Sequence, residues 1–202
     1  KQGFVPFDEL PHVYNPSKGF FASANQPQYE NPNHYYNWSF AEPFRGWRIS
    51  ERLRAKPKLS VQDLMDIQAD VVEPSFLQIK PILLRKNIIT NANLLRDMQN
   101  WDGKMTMNST LATRYFVFIE KLDSMMLDVI SQNKRQILEP QTWTIISYFK
   151  SNDRIKAYGK TFWRDSILKT AWDDAELTLK QTFGDDTSVW QYQKLHHTLM
   201  RH

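Results

Sequence analysis

The sequence contains no cysteine, which excludes disulfides, thiolate metal sites and a cysteine nucleophile within this stretch. It has only 6 glycines, and none forms a phosphate-cradling loop. Metalloprotease His-Glu-x-x-His and hydrolase Gly-x-Ser-x-Gly patterns are also absent, so those chemistries have no anchor here. No apolar run approaches the roughly 18 residues of a membrane span, and the opening residues carry no signal-peptide core. Basic residues (26 Lys and Arg against 22 Asp and Glu, net charge +4) are scattered, whereas nucleic-acid binding calls for a basic stripe interleaved with exposed aromatics. Neither a nucleic-acid nor a membrane partner is expected. A chain free of cysteine suits an oxidising compartment.

The histidines do not make a metal site. His196, His197 and His202 cluster without an acidic partner one helical turn away, and His12 and His34 stand alone in loops. Asp173, Asp174 and Glu176 form a carboxylate group of the kind that usually marks a solvated helix face.

What the chain does have is aromatic mass: 7 Trp, 8 Tyr and 12 Phe in 202 residues, with 41% hydrophobic residues overall. That is enough for one domain with a real core. The first forty residues are a loop-rich segment holding Pro6, Pro11, Pro16, Pro27 and Pro32, in which only residues 19–25 read as a strand. A turn at Asn15 to Gly19 launches Phe20, Phe21, Ala22, Ser23 and Ala24, a run without alternation that suits burial on both faces. It ends in two carboxamides, Asn25 and Gln26, followed by Pro27.

Residues 41–202 read as helical. Phe44, Trp47, Ile49 and Leu53 share a helical spacing, and Ser60 with Asp63 forms a capping box ahead of Leu64, Ile67 and Val71. Phe76, Ile79, Leu83 and Leu84 mark a third helix with Pro81 inside it. Asn91 or Asn93 caps a fourth that closes at Trp101, Asp102 and Gly103. A long amphipathic helix spans about Ser109 to Gln132, followed by helices over 141–150 and 160–183, the last closed by Gly184. Met107, Met125 and Met126 fall at helical intervals and suit core filling. The fold class is mainly α.

A set of motifs then points to a family. Pro6 to Pro16, Gly19 to Gln26, Pro43 to Ile49, Leu59 to Asp63 with Ile67 to Asp70, the Trp101–Asp102–Gly103 turn, and Trp190 to His196 occur in an order that resembles the β-chain of the penicillin acylase family. The resemblance covers nearly the whole chain. It implies a complete protein of the α+β class, with the αββα sandwich of N-terminal-nucleophile hydrolases, of which this chain would be an internal, mostly helical portion of the β-chain. In such enzymes a serine freed by autoproteolysis attacks a linear amide, its own α-amino group serving as base, and water releases the acyl-enzyme.

By motif position the resemblance makes Asn25 the side-chain donor of the oxyanion hole and Arg48 an organiser of the active-site hydrogen bonds, with Arg45 and Gln26 in supporting or pocket-lining roles. The residues alone also allow Asn25 to start a simple turn. The nucleophilic serine is expected outside this chain, so the chain alone should be inactive. Its expected partners are a small-molecule amide, such as an acylated β-lactam or an N-acyl homoserine lactone, the remainder of the β-chain, and an α-chain from the same precursor. A periplasmic or secreted location follows from the same likeness. No cofactor is expected within the chain. The family often carries a structural calcium, for which the loop 31–37 is the relevant segment here, and that loop lacks an aspartate. The competing reading is a non-catalytic helical binding module or a degenerate acylase.

Overall fold

A computed structural model describes residues 6–10, 12–26, 41–131, 141–157 and 160–195. The chain divides into two compact units, Lys1–Asp70 and Val71–His202. The expected mainly α character holds: seven α-helices and one two-stranded sheet are formed among the described residues.

In the first unit a short 3₁₀ turn, Phe7–Glu9, precedes a turn closed by Gly19 N–H donating to Pro16 O at 2.8 Å. Gly19 takes a φ of 76°, a conformation that glycine adopts without a Cβ penalty. The strand expected over 19–25 is not formed. Residues 20–23 have no ladder partner and 24–26 bend, because a strand exists only through hydrogen bonds to a neighbour and no described segment presents one. Helix α1 (Phe44–Arg54) follows, with Phe44 and Gly46 buried.

Helix α2 (Val61–Gln68) starts with the expected capping box: Asp63 N–H donates to Ser60 Oγ at 3.2 Å, and Ser60 N–H donates to Asp63 Oδ2 at 2.9 Å. Lys56 also pairs with Asp63 and, with the Ser60 bonds, holds that carboxyl well below its usual pKa. The helix is shorter than its apolar spacing suggests. It ends at Gln68, so Val71 lies beyond it, and Leu64 remains exposed.

The second unit is built around α5 (Thr110–Ser131), which packs most extensively on α7 (Arg164–Phe183) and also meets α6 (Thr142–Ser151). Helices α3 (Pro74–Leu83) and α4 (Ala92–Asn100) precede it. Asn91 caps α4 by accepting from the N–H groups of Asn93 and Leu94 at 3.0 and 3.1 Å. The core is a run of rings: Trp101 on Phe76 (centroids 4.4 Å apart), Phe76 on Tyr115 (5.2 Å), Tyr115 on Phe118 (6.2 Å) and Phe118 on Trp172 (5.6 Å). Such offset and edge contacts add to the area the rings remove from water. The Tyr115 hydroxyl is satisfied by Ser75 Oγ at 2.7 Å. Gly103, at φ 80°, lets the chain turn beside Phe76.

The helix expected over 160–183 starts only at Arg164. Residues Lys160–Trp163 form strand β2, antiparallel to β1 (Arg154–Ala157), with Arg154 opposite Trp163 and its guanidinium 4.4 Å from that ring. Thr161, Phe162 and Trp163 are residues that fit a pleated surface, and the partner strand supplied the missing half of the signal. Arg164, buried at the junction, donates to Phe149 O at 2.9 Å and to Asp165 at 2.9 Å. Helix α7 closes at Gly184, φ 83°. Of the methionines expected in the core, Met126 is buried but Met107 is 68% exposed, since it precedes α5 in a turn.

Candidate active-site segment

The sequence-derived site residues all fall in the first unit. The bend at 24–26 is fastened at successive atoms. Ala24 N–H donates to Gln26 Oε1 at 2.7 Å, Ala24 O accepts from Arg45 Nη2 at 3.4 Å, and Asn25 O accepts from Ala41 N–H at 2.8 Å. Asn25 itself is exposed and takes a φ of 65°. That left-handed backbone is disfavoured for most side chains and is tolerated by asparagine better than by almost any other non-glycine residue. Residue and conformation are therefore matched.

Gln26 lies against α1 at Gly46. A Cβ at position 46 would overlap the Gln26 carboxamide, so the absence of a side chain there lets the bend approach the helix. Arg45 and Arg48, one turn apart on α1, act in different directions. Arg45 reaches back to the bend, whereas Arg48 donates through Nε to Asp70 Oδ2 at 2.9 Å and through Nη1 to Glu51 at 2.9 Å, and its Nη2 lies 2.8 Å from the same Asp70 oxygen as an ion pair. Burial opposes the charge on Arg48, but the bonds to Glu51 and Asp70 outweigh it and raise its pKa. Arg52 Nε adds a longer contact, 3.5 Å, to Asp70. The structure thus brings Gln26 and Arg45 together on Ala24, next to Asn25, whose carbonyl is held by Ala41. Arg48 belongs to a second cluster with Asp70, which motif reading included without assigning it a part.

His34, His196, His197, His202 and the loop 31–37 lie outside the described residues. His12 is exposed, its Nδ1 2.9 Å from Leu10 O. Among the described residues no three His, Asp or Glu side chains come together to hold a metal, and no helix is long and apolar enough to cross a membrane.

The second unit has a polar cavity of about 470 Å³ between α4, α5 and α7. Arg114, only 6% exposed, borders it, donating through Nε to Glu176 at 2.9 Å with its guanidinium 4.6 Å from the Trp190 ring. Burial raises the Glu176 pKa against the opposing effect of Arg114. The solvated-face expectation therefore holds for Asp173, which is exposed and paired with Lys169, but not for Glu176. An arginine on the apolar stripe of an amphipathic helix was the available signal for this pair.

Two comparisons bear on these residues. The penicillin amidase family pattern matches residues 1–202, the whole chain. The penicillin acylase 2 proenzyme of Pseudomonas sp. (strain SE83) is 29% identical over 121 residues, which cover 58% of this chain and 16% of that protein. The chain therefore spans a minor part of the length of that relative. With the match running through the 24–26 bend, α1, the Asp70 cluster and the whole helical unit, the chain belongs to the penicillin amidase family, a family of amidohydrolases.

Proposed function

We propose that this chain is part of a penicillin acylase-like amidohydrolase that cleaves a linear amide through a serine acyl-enzyme, the serine being supplied by polypeptide outside the chain. The observation that carries this reading is the Asn25 bend, fastened at both its flanking peptides and seated on α1. Attack of the serine Oγ on the amide carbon would move an electron pair onto the carbonyl oxygen. Asn25 Nδ2–H would donate to that oxyanion, the amine would leave with a proton, and water would hydrolyse the ester. A donor held in advance at a fixed position needs no reorganisation when the charge forms.

Arg48 serves as organiser in this scheme, with Arg45 and Gln26 as supports of the bend. The acyl group is carried by an acylated β-lactam or an N-acyl homoserine lactone, and the enzyme works in the periplasm or outside the cell. Maturation from a single precursor is supported by the proenzyme nature of the Pseudomonas relative. No step of this scheme depends on a calcium ion.

N-terminal sequencing of the complete, expressed precursor tests the proposal. Two chains, with a β-chain beginning at serine, and turnover in a panel of acyl amides are the expected results. A single unprocessed chain that binds acyl amides without turning them over would replace the hydrolase with a binding module.

A further inference from the structure

Arg48 is a long, flexible side chain, and an organising role demands that its guanidinium plane be fixed. What fixes it is visible. Asp70 Oδ2 accepts from Nε at 2.9 Å and lies 2.8 Å from Nη2 as an ion pair, and the Asp70 side chain is only 10% exposed while that of Arg48 is 19% exposed. Asp70 sits two residues past the end of α2, where its N–H donates to Ile67 O at 3.3 Å. The carboxylate is thus offered from a helix terminus at a set height against α1. Glu51, the other partner, is 65% exposed and one turn along the same helix. An exposed ion pair of that kind contributes little, whereas a shielded carboxylate oxygen that accepts from Nε and also contacts Nη2 restrains both the place and the plane of the guanidinium.

We propose that Asp70 is a positioning residue for the hydrolase reaction, acting through Arg48: it holds the guanidinium side-on through Nε and Nη2 and so sets where Arg48 can direct its remaining donors. The inference rests on the organising role given to Arg48 above. Asp70 does not touch the amide; its effect on rate runs through Arg48 alone. Arg52, at 3.5 Å from the same oxygen, shares the carboxylate's charge but at a longer distance.

The test uses the complete precursor, matured, with D70N, D70E, R48A and R48A/D70N compared on one acyl amide. Misplacement of an organising group costs rate far more than ground-state affinity, so D70N should lower kcat about 10- to 100-fold with KM held within about threefold. D70E keeps the charge but moves it by one methylene, and should be slower than the native enzyme by several-fold yet faster than D70N. In the R48A background, D70N should bring no further loss, because the two act as one unit. The outcomes separate cleanly. If R48A turns over at the native rate, the organising role of Arg48 fails and this inference fails with it. If R48A is slow but D70N or D70E is native in kcat, or if the D70N loss persists undiminished in R48A, only the assignment of Asp70 is overturned. Should D70N not mature, D70E and R48A/D70E carry the same comparison, with native kcat in D70E as the contradicting result.

Discussion

Replacing Arg114 with methionine should weaken the second unit in a way that depends on pH. The side chain is 7% exposed, its partner Glu176 is 29% exposed, and the two meet at 2.9 Å with Trp190 stacked 4.6 Å from the guanidinium. Methionine keeps most of the packing volume but leaves a carboxylate without its cation. Removing one member of a fully buried pair costs about 3–5 kcal/mol. Because Glu176 keeps some solvent access, a smaller cost, about 2–4 kcal/mol, is expected for R114M near neutral pH, the Trp190 contact included.

The sign of the pH effect follows from burial. Glu176 already has a raised pKa in the folded state, and loss of Arg114 raises it further. A carboxyl with a raised folded-state pKa binds more protons folded than unfolded, so stability falls as pH climbs from the unfolded value through the folded one. The R114M deficit should therefore shrink as pH falls through the raised folded-state pKa of Glu176, down to the loss of the Trp190 contact, which does not depend on pH. Native-state hydrogen exchange of α5 and α7 amides in the complete protein reads this locally. Equal protection in R114M and native protein at pH 7.5, or a deficit that does not shrink on acidification, would refute the reasoning.

Truncating Phe76 to alanine, at a site that is fully buried between Trp101 and Tyr115, should cost about 3–5 kcal/mol, read as a lowered midpoint of the second unit in thermal melts. Asp165 is held below its usual pKa: burial works against this, but hydrogen bonds from Asn87, Arg164 and Arg85 prevail. Its stabilisation is present above the unfolded-state pKa and is lost as pH falls through the depressed folded value, so D165N should flatten the acid limb of the stability curve measured between about pH 5 and 2. Gly46→Ala should displace the Gln26 carboxamide from Ala24 N–H, at a cost of about 1 kcal/mol for the lost bond. In the complete enzyme its kcat should follow that of Gln26→Ala.

Local signals in the sequence located most helices because each carries its own punctuation: the Ser60 and Asp63 capping box, the Asn91 cap, Gly103 and Gly184 at positive φ. The pairing of β1 with β2 was not legible, since four-residue strands are defined by a partner and not by their own pattern. The same dependence undid the expected strand at 19–25, which has apolar residues but no neighbour among the described residues. In the candidate site, motif position singled out Asn25 and Arg48, but neither the left-handed backbone of Asn25 nor the bond from Arg45 on α1 to the neighbouring Ala24 carbonyl could be read from order alone. In pairs formed across long separations, Arg48 with Asp70 and Arg114 with Glu176, no local pattern names the partner. They emerge only once helices pack.

The most direct test of the central claim is the turnover of Asn25→Ala in the complete, matured enzyme. Loss of one oxyanion donor costs about 10²–10³ in kcat, while alanine at a φ of 65° should lower stability only by about 1 kcal/mol of backbone strain. A kcat reduced by only about two- to threefold would contradict the oxyanion role.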